Sequence, residues 1–286
     1  MKRSRSSNAS RPLEFEVCIL RQDHPDRPSY WQTFRLAYEP GLNITAVLQR
    51  IATNPTTATG ERTTPVAYDA NCLEEVCGSC TMLINGRVRQ ACSALVDSLL
   101  DERRDVIELC PMSKFPVVRD LFVDRHRVFR ALQKLECWIP VDTYGDRGRG
   151  PLQSPKEQQK AYPLSQCMSC GCCLEACPQY TKASVERRDQ ETDEEYQTRR
   201  DNVLDQSFIG AAAMSQVVLM NSHPTGKMTD EDRIEKLIAP GGIQNCGKAG
   251  NCQAVCPKGI PLMSSWARAG RAATIQMIKK FFEGAS

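Results

Sequence analysis

Residues 167–178 read Cys-Met-Ser-Cys-Gly-Cys-Cys-Leu-Glu-Ala-Cys-Pro, and their spacing, Cys167-x2-Cys170-x2-Cys173-x3-Cys177-Pro178, decides the class of the second half of the chain. Thiolates spaced in this way place three soft donors on one short loop around a 4Fe-4S cubane and send the fourth, just before the proline, to a second cluster. Cys172 lies inside the run but off its spacing, and it reads as a small buried thiol. Residues 246–257, Cys-Gly-Lys-Ala-Gly-Asn-Cys-Gln-Ala-Val-Cys-Pro, repeat the frame with Ala249 at the second cysteine position. A cubane corner that lacks its protein thiolate readily loses its iron, so this frame predicts a 3Fe-4S cluster. With the fourth cysteine of each frame crossing to the other, Cys167, Cys170, Cys173 and Cys256 are expected around the 4Fe-4S cluster. Cys177, Cys246 and Cys252 are expected around the 3Fe-4S cluster.

Upstream, Cys72-x4-Cys77-x2-Cys80 and the later Cys92 have the plant-type 2Fe-2S spacing, three thiolates on a loop and a fourth on a returning segment. Gly78 inside that loop permits backbone angles that turn amides toward cluster sulfurs. A structural zinc site built on the Cys77–Cys80 pair is the alternative. The chain holds 15 cysteines, grouped, in a sequence whose start lacks the apolar core of an export signal, a usage that favours metal binding over disulfides. His24, His126 and His223 lie far in sequence from every group, which weakens mixed Cys/His zinc readings. Cys18, Cys110, Cys137 and Cys172 are left as ordinary thiols.

Around these groups the 286 residues divide into a solvated tail (1–12), an α+β domain (13–118) and a helical domain (119–286). Leu13–Leu20 and Thr33–Tyr38 alternate like strands, and Ile44, Val47, Leu48 and Ile51 share a helical face behind a capping Asn43. Asn85-Gly86 predicts a tight hairpin between Met82–Ile84 and Arg87–Arg89, and Val106–Leu109 reads as one more strand. From Val118 the apolar period turns helical, through Leu121, Phe122, Val128, Phe129, Leu132 and Leu135. Asp142–Pro155 is an irregular connection, and the charged insertion 182–206 is a solvated helix or loop. Leu262–Phe282, with Trp266, Ala273, Met277, Ile278 and Phe281, reads as a packed terminal helix, with a membrane-lying face as the alternative. Lys and Arg (37) nearly balance Asp and Glu (34), so the +3 formal charge argues against a nucleic-acid partner. No window supplies the ~18 apolar residues of a spanning helix, so the chain is expected neither to be exported nor to span a membrane by itself.

Taken with the cysteine frames, the segments NCLEEVCGSC from Asn71, FPVVRDLFVDR from Phe115, HPTG from His223 and CPKGIP from Cys256 resemble the iron-sulfur subunits of succinate dehydrogenase and fumarate reductase. The resemblance implies a β-grasp 2Fe-2S ferredoxin domain followed by an all-α helical ferredoxin domain with two cubane-type clusters. It implies a flavoprotein partner carrying FAD, a membrane-anchor cytochrome b, and the electron order FAD, 2Fe-2S, 4Fe-4S, 3Fe-4S, quinone. The chain would then lie peripherally on the cytoplasmic face of the bacterial cytoplasmic membrane. Asn71–Cys80 and Met214–Gly226 (MSQVVLMNSHPTG) are similar to menaquinone-linked members, whose anchor carries haem b. Gly247, and Thr181 with Lys182, stand where ubiquinone-linked members have His and Trp, so no quinone-binding residue is assigned.

The chain offers no acid–base constellation of its own, so no catalytic residue is expected on it; the dicarboxylate chemistry would be the flavoprotein's. The same subunit in a quinol:fumarate reductase is one alternative. A soluble ferredoxin-like carrier and a zinc-stapled scaffold are alternatives of other classes.

Overall fold

The computed structural model describes residues 13–101, 106–139, 152–183 and 185–283. The expected tail (1–12) and most of the irregular connection lie outside them. The first half opens with β1 (Glu14–Arg21) and β2 (Tyr30–Ala37), paired antiparallel, followed by α1 (Ile44–Thr53). β3 (Thr81–Ile84) and β4 (Arg87–Gln90) form a hairpin, α2 spans Val96–Asp101, and β5 (Val106–Cys110) closes the sheet in the order β2-β1-β5-β3-β4. β5 runs parallel to β1, which requires the chain to cross over the sheet between them. That crossing carries α1 and the first cysteine loop.

Alternation along β1 turns Phe15, Val17 and Ile19 into the core, against Val47, Leu48 and Ile51 of α1. Asn43 caps α1 as expected, its side chain accepting from Ala46 N at 2.8 Å. Asn85 and Gly86 both have positive φ (50° and 73°), the conformation of a two-residue hairpin turn. A buried ion pair closes the open end of this half. Arg21 donates to both carboxylate oxygens of Asp120 at 3.1 and 3.0 Å, and both side chains are fully shielded from solvent. Asp120 also accepts from Ala67 N at 2.9 Å, and Arg21 reaches Gln32 and Thr64, so the pair ties β1 to the segment leading to the cysteine loop.

The expected helical run from Val118 is corrected at its start. Residues Val117–Arg119 (β6) and Phe122–Val123 (β7) form a two-stranded ribbon, and helix begins only with α3 (His126–Lys134). Leu121 packs into the first core while Val123 and Val128 pack into the second, so the apolar spacing there serves two cores and not one helical face.

The second half is helical around α7 (Gly210–Ser222), whose Ala213, Met214 and Val217 are buried against α4 (Pro155–Ser165), α8 (Asp230–Ile238) and α10 (Leu262–Glu283). Two short helices, α5 (Cys172–Glu175) and α9 (Asn251–Ala254), carry the cysteine frames. The charged insertion contains α6 (Asp193–Gln206), started by a Thr192/Glu195 capping box and with no buried residue. It is held to α3 by Arg130–Asp205 at 2.6 Å and His126–Asp201 at 3.3 Å. The terminal helix is packed only in its first part: Ala269 and Ala273 are buried, whereas Met277, Ile278 and Phe281, expected inside, are 50, 53 and 74 % exposed. Among the described residues no single helix is long and apolar enough to cross a membrane.

Removing one member of a buried, fully paired ion pair leaves the other charge without compensation. Asp120→Ala is therefore expected to destabilise the first half by about 3–5 kcal/mol. Denaturant titration of purified protein, followed by visible circular dichroism, checks this, and Arg35→Ala at the exposed Arg35–Glu16 pair should move the midpoint far less.

Candidate metal centres

The first cysteine loop is shaped by its backbone. Leu73, Glu75 and Gly78 all have positive φ (62°, 59° and 72°), which turns successive amides inward. Val76 N, Cys77 N and Glu74 N donate to Cys72 Sγ at 3.2, 3.3 and 3.5 Å; Ser79 N reaches Cys77 Sγ at 3.5 Å and Glu75 N reaches Cys92 Sγ at 3.3 Å. Cys80 and Cys92 are buried beneath the loop. Burial disfavours ionisation of Cys77, but hydrogen bonds from Ser79 and Cys72 outweigh it and bring the thiol down to about 6. Burial pushes Cys80 up to about 11. The structure thus brings Cys72, Cys77, Cys80 and Cys92 together, with donors directed at three of their sulfurs.

The two later frames have the same backbone. Ser169 and Lys248 occupy equivalent positions with φ 51° and 57°, followed by Gly171 and Gly250 with φ 87° and 75°. Each glycine precedes a four-residue helix, and each helix leads to Cys-Pro. The left-handed glycine lets the chain reverse so that cysteines before and after the turn face one space.

Cys167, Cys170, Cys173 and Cys256 line one small concavity, with Cys172, Gly171, Pro257 and Ile260 among the other walls. Cys177, Cys246 and Cys252 line another, and Ala249 lies on that wall with Gly247 and Lys248. α7 stands between them, giving Ala212 to the first and Ala211 and Met214 to the second. Burial raises the thiols of Cys167, Cys173 and Cys252, and a hydrogen bond from Cys172 lowers Cys170 to about 7. Among the described residues, no three His, Cys, Asp or Glu side chains converge on one point as ligands of a single ion. The thiols ring spaces instead, and an all-thiol donor set around an apolar space matches a polynuclear iron-sulfur group.

The cysteine spacing left several supporting residues unseen. Buried Glu175 accepts from Ser113 N and Lys114 N at 3.0 and 3.1 Å, fixing the connection between the halves. Phe115 packs on Tyr180 with ring centroids 5.9 Å apart, and Arg127 lies over the Tyr180 ring at 3.9 Å while donating to Phe208 O. Gln90 and Arg125 reach across to the cysteine loops. None of these carries a spacing signal, because each acts on a segment remote in sequence.

Known protein families match both halves of the chain. A family described as a 2Fe-2S iron-sulfur cluster binding domain matches residues 16–130, and one described as a 4Fe-4S dicluster domain matches residues 163–260. Fold and site together therefore define an iron-sulfur protein of two successive ferredoxin-type domains. The succinate dehydrogenase iron-sulfur subunit of Bacillus subtilis is 46 % identical over 92 % of this chain and 94 % of its own length. The fumarate reductase iron-sulfur subunit of Wolinella succinogenes is 30 % identical over 82 % of this chain and 86 % of its own. A chain of the Mycobacterium smegmatis Sdh1 complex in the apo form shares the fold, with a TM-score of 0.67 at 18 % identity, covering 92 % of this chain and 97 % of that one. The chain belongs to the family of succinate dehydrogenase and fumarate reductase iron-sulfur subunits, and it is an electron-transfer subunit of such an oxidoreductase.

Two thiols outside the frames are set apart by their surroundings. Burial pushes Cys110 up to about 11 and Cys137 up to about 12. A raised thiol is protonated below its pKa, so at pH 8 only about a thousandth of Cys110 is the nucleophilic thiolate. Iodoacetamide at pH 8 should leave both unmodified in the native protein, with labelling appearing only as the pH nears those values; peptide mass spectrometry reads the outcome.

Proposed function

We propose that the chain is the iron-sulfur subunit of a succinate:quinone oxidoreductase, with a β-grasp 2Fe-2S domain (13–118) followed by a helical two-cluster domain (119–286). Cys72, Cys77, Cys80 and Cys92 hold the 2Fe-2S cluster. Cys167, Cys170, Cys173 and Cys256 hold the 4Fe-4S cluster, and Cys177, Cys246 and Cys252 hold the 3Fe-4S cluster. The observation that carries the reading is the segregation of the later cysteines: each space takes the first cysteines of one frame and the last cysteine of the other. The sheet order, with β5 parallel to β1, supports the β-grasp assignment.

Bound there, the clusters supply one-electron stations between a two-electron flavin donor on a partner flavoprotein and a quinone acceptor beside a cytochrome b anchor. The protein's share is to set the sites. The inward amides of the first loop donate to the sulfurs of Cys72, Cys77 and Cys92, and hydrogen bonds to ligand sulfur are one lever on potential. The walls contributed by α7 and Ile260 exclude water from the later sites. Similarity to the B. subtilis protein favours the succinate-oxidising direction, and the resemblance carried by Asn71–Cys80 and Met214–Gly226 favours a menaquinone-type acceptor and a place at the cytoplasmic face of the cell membrane. The same subunit in a fumarate reductase is supported by the W. succinogenes relative, and copurifying partners with their measured potentials discriminate the two.

Membrane attachment is on this reading a docking contact. Deleting the anchor subunit should release the chain with its flavoprotein as a soluble pair that reduces artificial dyes from succinate and does not reduce quinone. Quinone reduction by that pair would overturn the assignment.

Ala249 occupies the position where a thiolate would complete a cubane. In Ala249→Cys the third site is expected to retain a fourth iron, so the oxidised three-iron electron paramagnetic resonance signal of the parent disappears. Ferredoxin-type four-iron clusters generally sit lower than three-iron ones, and each ~59 mV of lowering shifts a one-electron equilibrium by about tenfold. Succinate-to-quinone turnover should fall while dye reduction taken from flavin persists. A persistent three-iron signal in an iron-replete variant would show that Ala249 is not at the missing corner.

A further inference from the structure

The first cysteine loop touches the second cysteine run. Gly78, with φ +72°, faces Cys170, and a Cβ added to it would stand 2.6 Å from Cys170 Cβ, 2.8 Å from Cys170 Cα and 3.2 Å from Met168 O. No side chain fits without parting the two loops. The Gly78 carbonyl accepts from Arg125 Nη1 at 2.8 Å and from the Thr81 hydroxyl at 2.7 Å. Thr81 Oγ1 also lies 2.7 Å from Gln90 Oε1, and Gln90 Nε2 donates to Cys172 Sγ at 3.2 Å. Gln90 and Cys172 are each 1 % exposed. A buried amide is unfavourable unless its polar atoms are partnered. The partners of Gln90 come from opposite halves of the molecule, Thr81 from the first and Cys172 from the second. Cys172 and Cys170 line the same concavity, two residues apart on one turn.

We propose that Gly78, Gln90 and Cys172 form a clasp that fixes the separation of the 2Fe-2S and 4Fe-4S sites. Gly78 lets the two loops touch, and Gln90 is a positioning residue that holds the Cys172 thiol beside Cys170. The inference rests on the ligand roles proposed above and adds to them residues that no cysteine spacing reveals. Tunnelling between two sites weakens exponentially with separation, so a contact at the steric limit sets how readily one electron passes. With both clusters bound, that electron would oxidise the first and reduce the second, with no proton moved. A donor to a ligand sulfur also raises a cluster's potential, and the Cys172 thiol is placed to be such a donor.

The test compares the assembled parent complex with Gly78→Ala, Gln90→Leu, Cys172→Ala and Cys172→Ser. Each is examined by iron analysis, by electron paramagnetic resonance of the fully reduced state, and by redox titration of the four-iron signal. Gly78→Ala should keep both clusters and lose part of the relaxation enhancement that the reduced four-iron cluster exerts on the 2Fe-2S signal. Gln90→Leu and Cys172→Ala should shift the four-iron potential downward, whereas Cys172→Ser, which keeps a donor and an acceptor, should stay near the parent value. If Gly78→Ala fails to assemble, Gln90→Leu and Cys172→Ala carry the test, since neither adds an atom to the loop contact. Unchanged relaxation and potential in those two, with both clusters present, would overturn the clasp. Absence of either cluster from the parent would overturn the ligand roles, and the clasp with them, which is a separable result.

Discussion

Clustered thiols in a dry site cannot all carry charge, and the helical half of this molecule is arranged around that constraint. Burial holds Cys167, Cys173 and Cys252 in the neutral form, and neighbouring cysteines raise them further. Neutral thiols make only weak contacts with one another. Iron bound there would alter the balance, because it would replace the protons and bind the sulfurs across the site. On the proposed ligand set those bonds join residues 167–177 to residues 246–256 twice, once in each direction. The metal would then serve as part of the core of this half as well as its redox centre.

Two crossed frames must lie close enough to exchange a cysteine, and the sequence of α7 meets that need with small residues. Gly210, Ala211, Ala212 and Ala213 open the helix, and a Cβ on Gly210 would come within 2.1 Å of Leu174 in the first frame. Ala211 and Ala212 face opposite concavities. Larger side chains there would thicken the wall between the frames and separate the cysteines that the exchange brings together. Farther along α7, Val217 and Val218 resume ordinary packing in the core. Local chain chemistry and the spacing of the metal centres are therefore coupled through one helix.

Much of this was legible because the signals are local. Asn43 before an apolar helical face, Asn85-Gly86 between short strands, and the repeated cysteine frames each act on residues within a few positions of themselves. The structure forms the capped helix and the hairpin turn, and it gives the two later frames the same backbone. The ribbon at 117–123 was read as helix because Leu121, Val128 and Leu135 fit a helical period, yet Leu121 belongs to the first core and the others to the second. Apolar spacing reports that residues are buried and does not report in which core. Gln90 was invisible for a related reason: its partner Cys172 is 82 positions away, and a glutamine at a strand end carries no spacing signature. In α10, Met277, Ile278 and Phe281 follow helical spacing, yet among the described residues no apolar layer covers them, and α8 meets this end of the helix through the ion pairs Lys279–Glu231 and Lys280–Glu235.

The first cysteine loop shows how one backbone choice has two consequences. Turning the amides of Glu74, Glu75, Val76 and Cys77 toward sulfur requires the positive φ of Leu73 and Glu75, outside the range most side chains prefer. A chain that points its N–H groups inward in this way turns its side chains outward, and Leu73 and Val76 are accordingly 50 and 54 % exposed. These apolar residues are not misplaced core. They follow from a loop whose interior is given over to hydrogen bonds, whereas the second run keeps Cys172 and Cys173 buried. Gly78 is the point where the two arrangements touch.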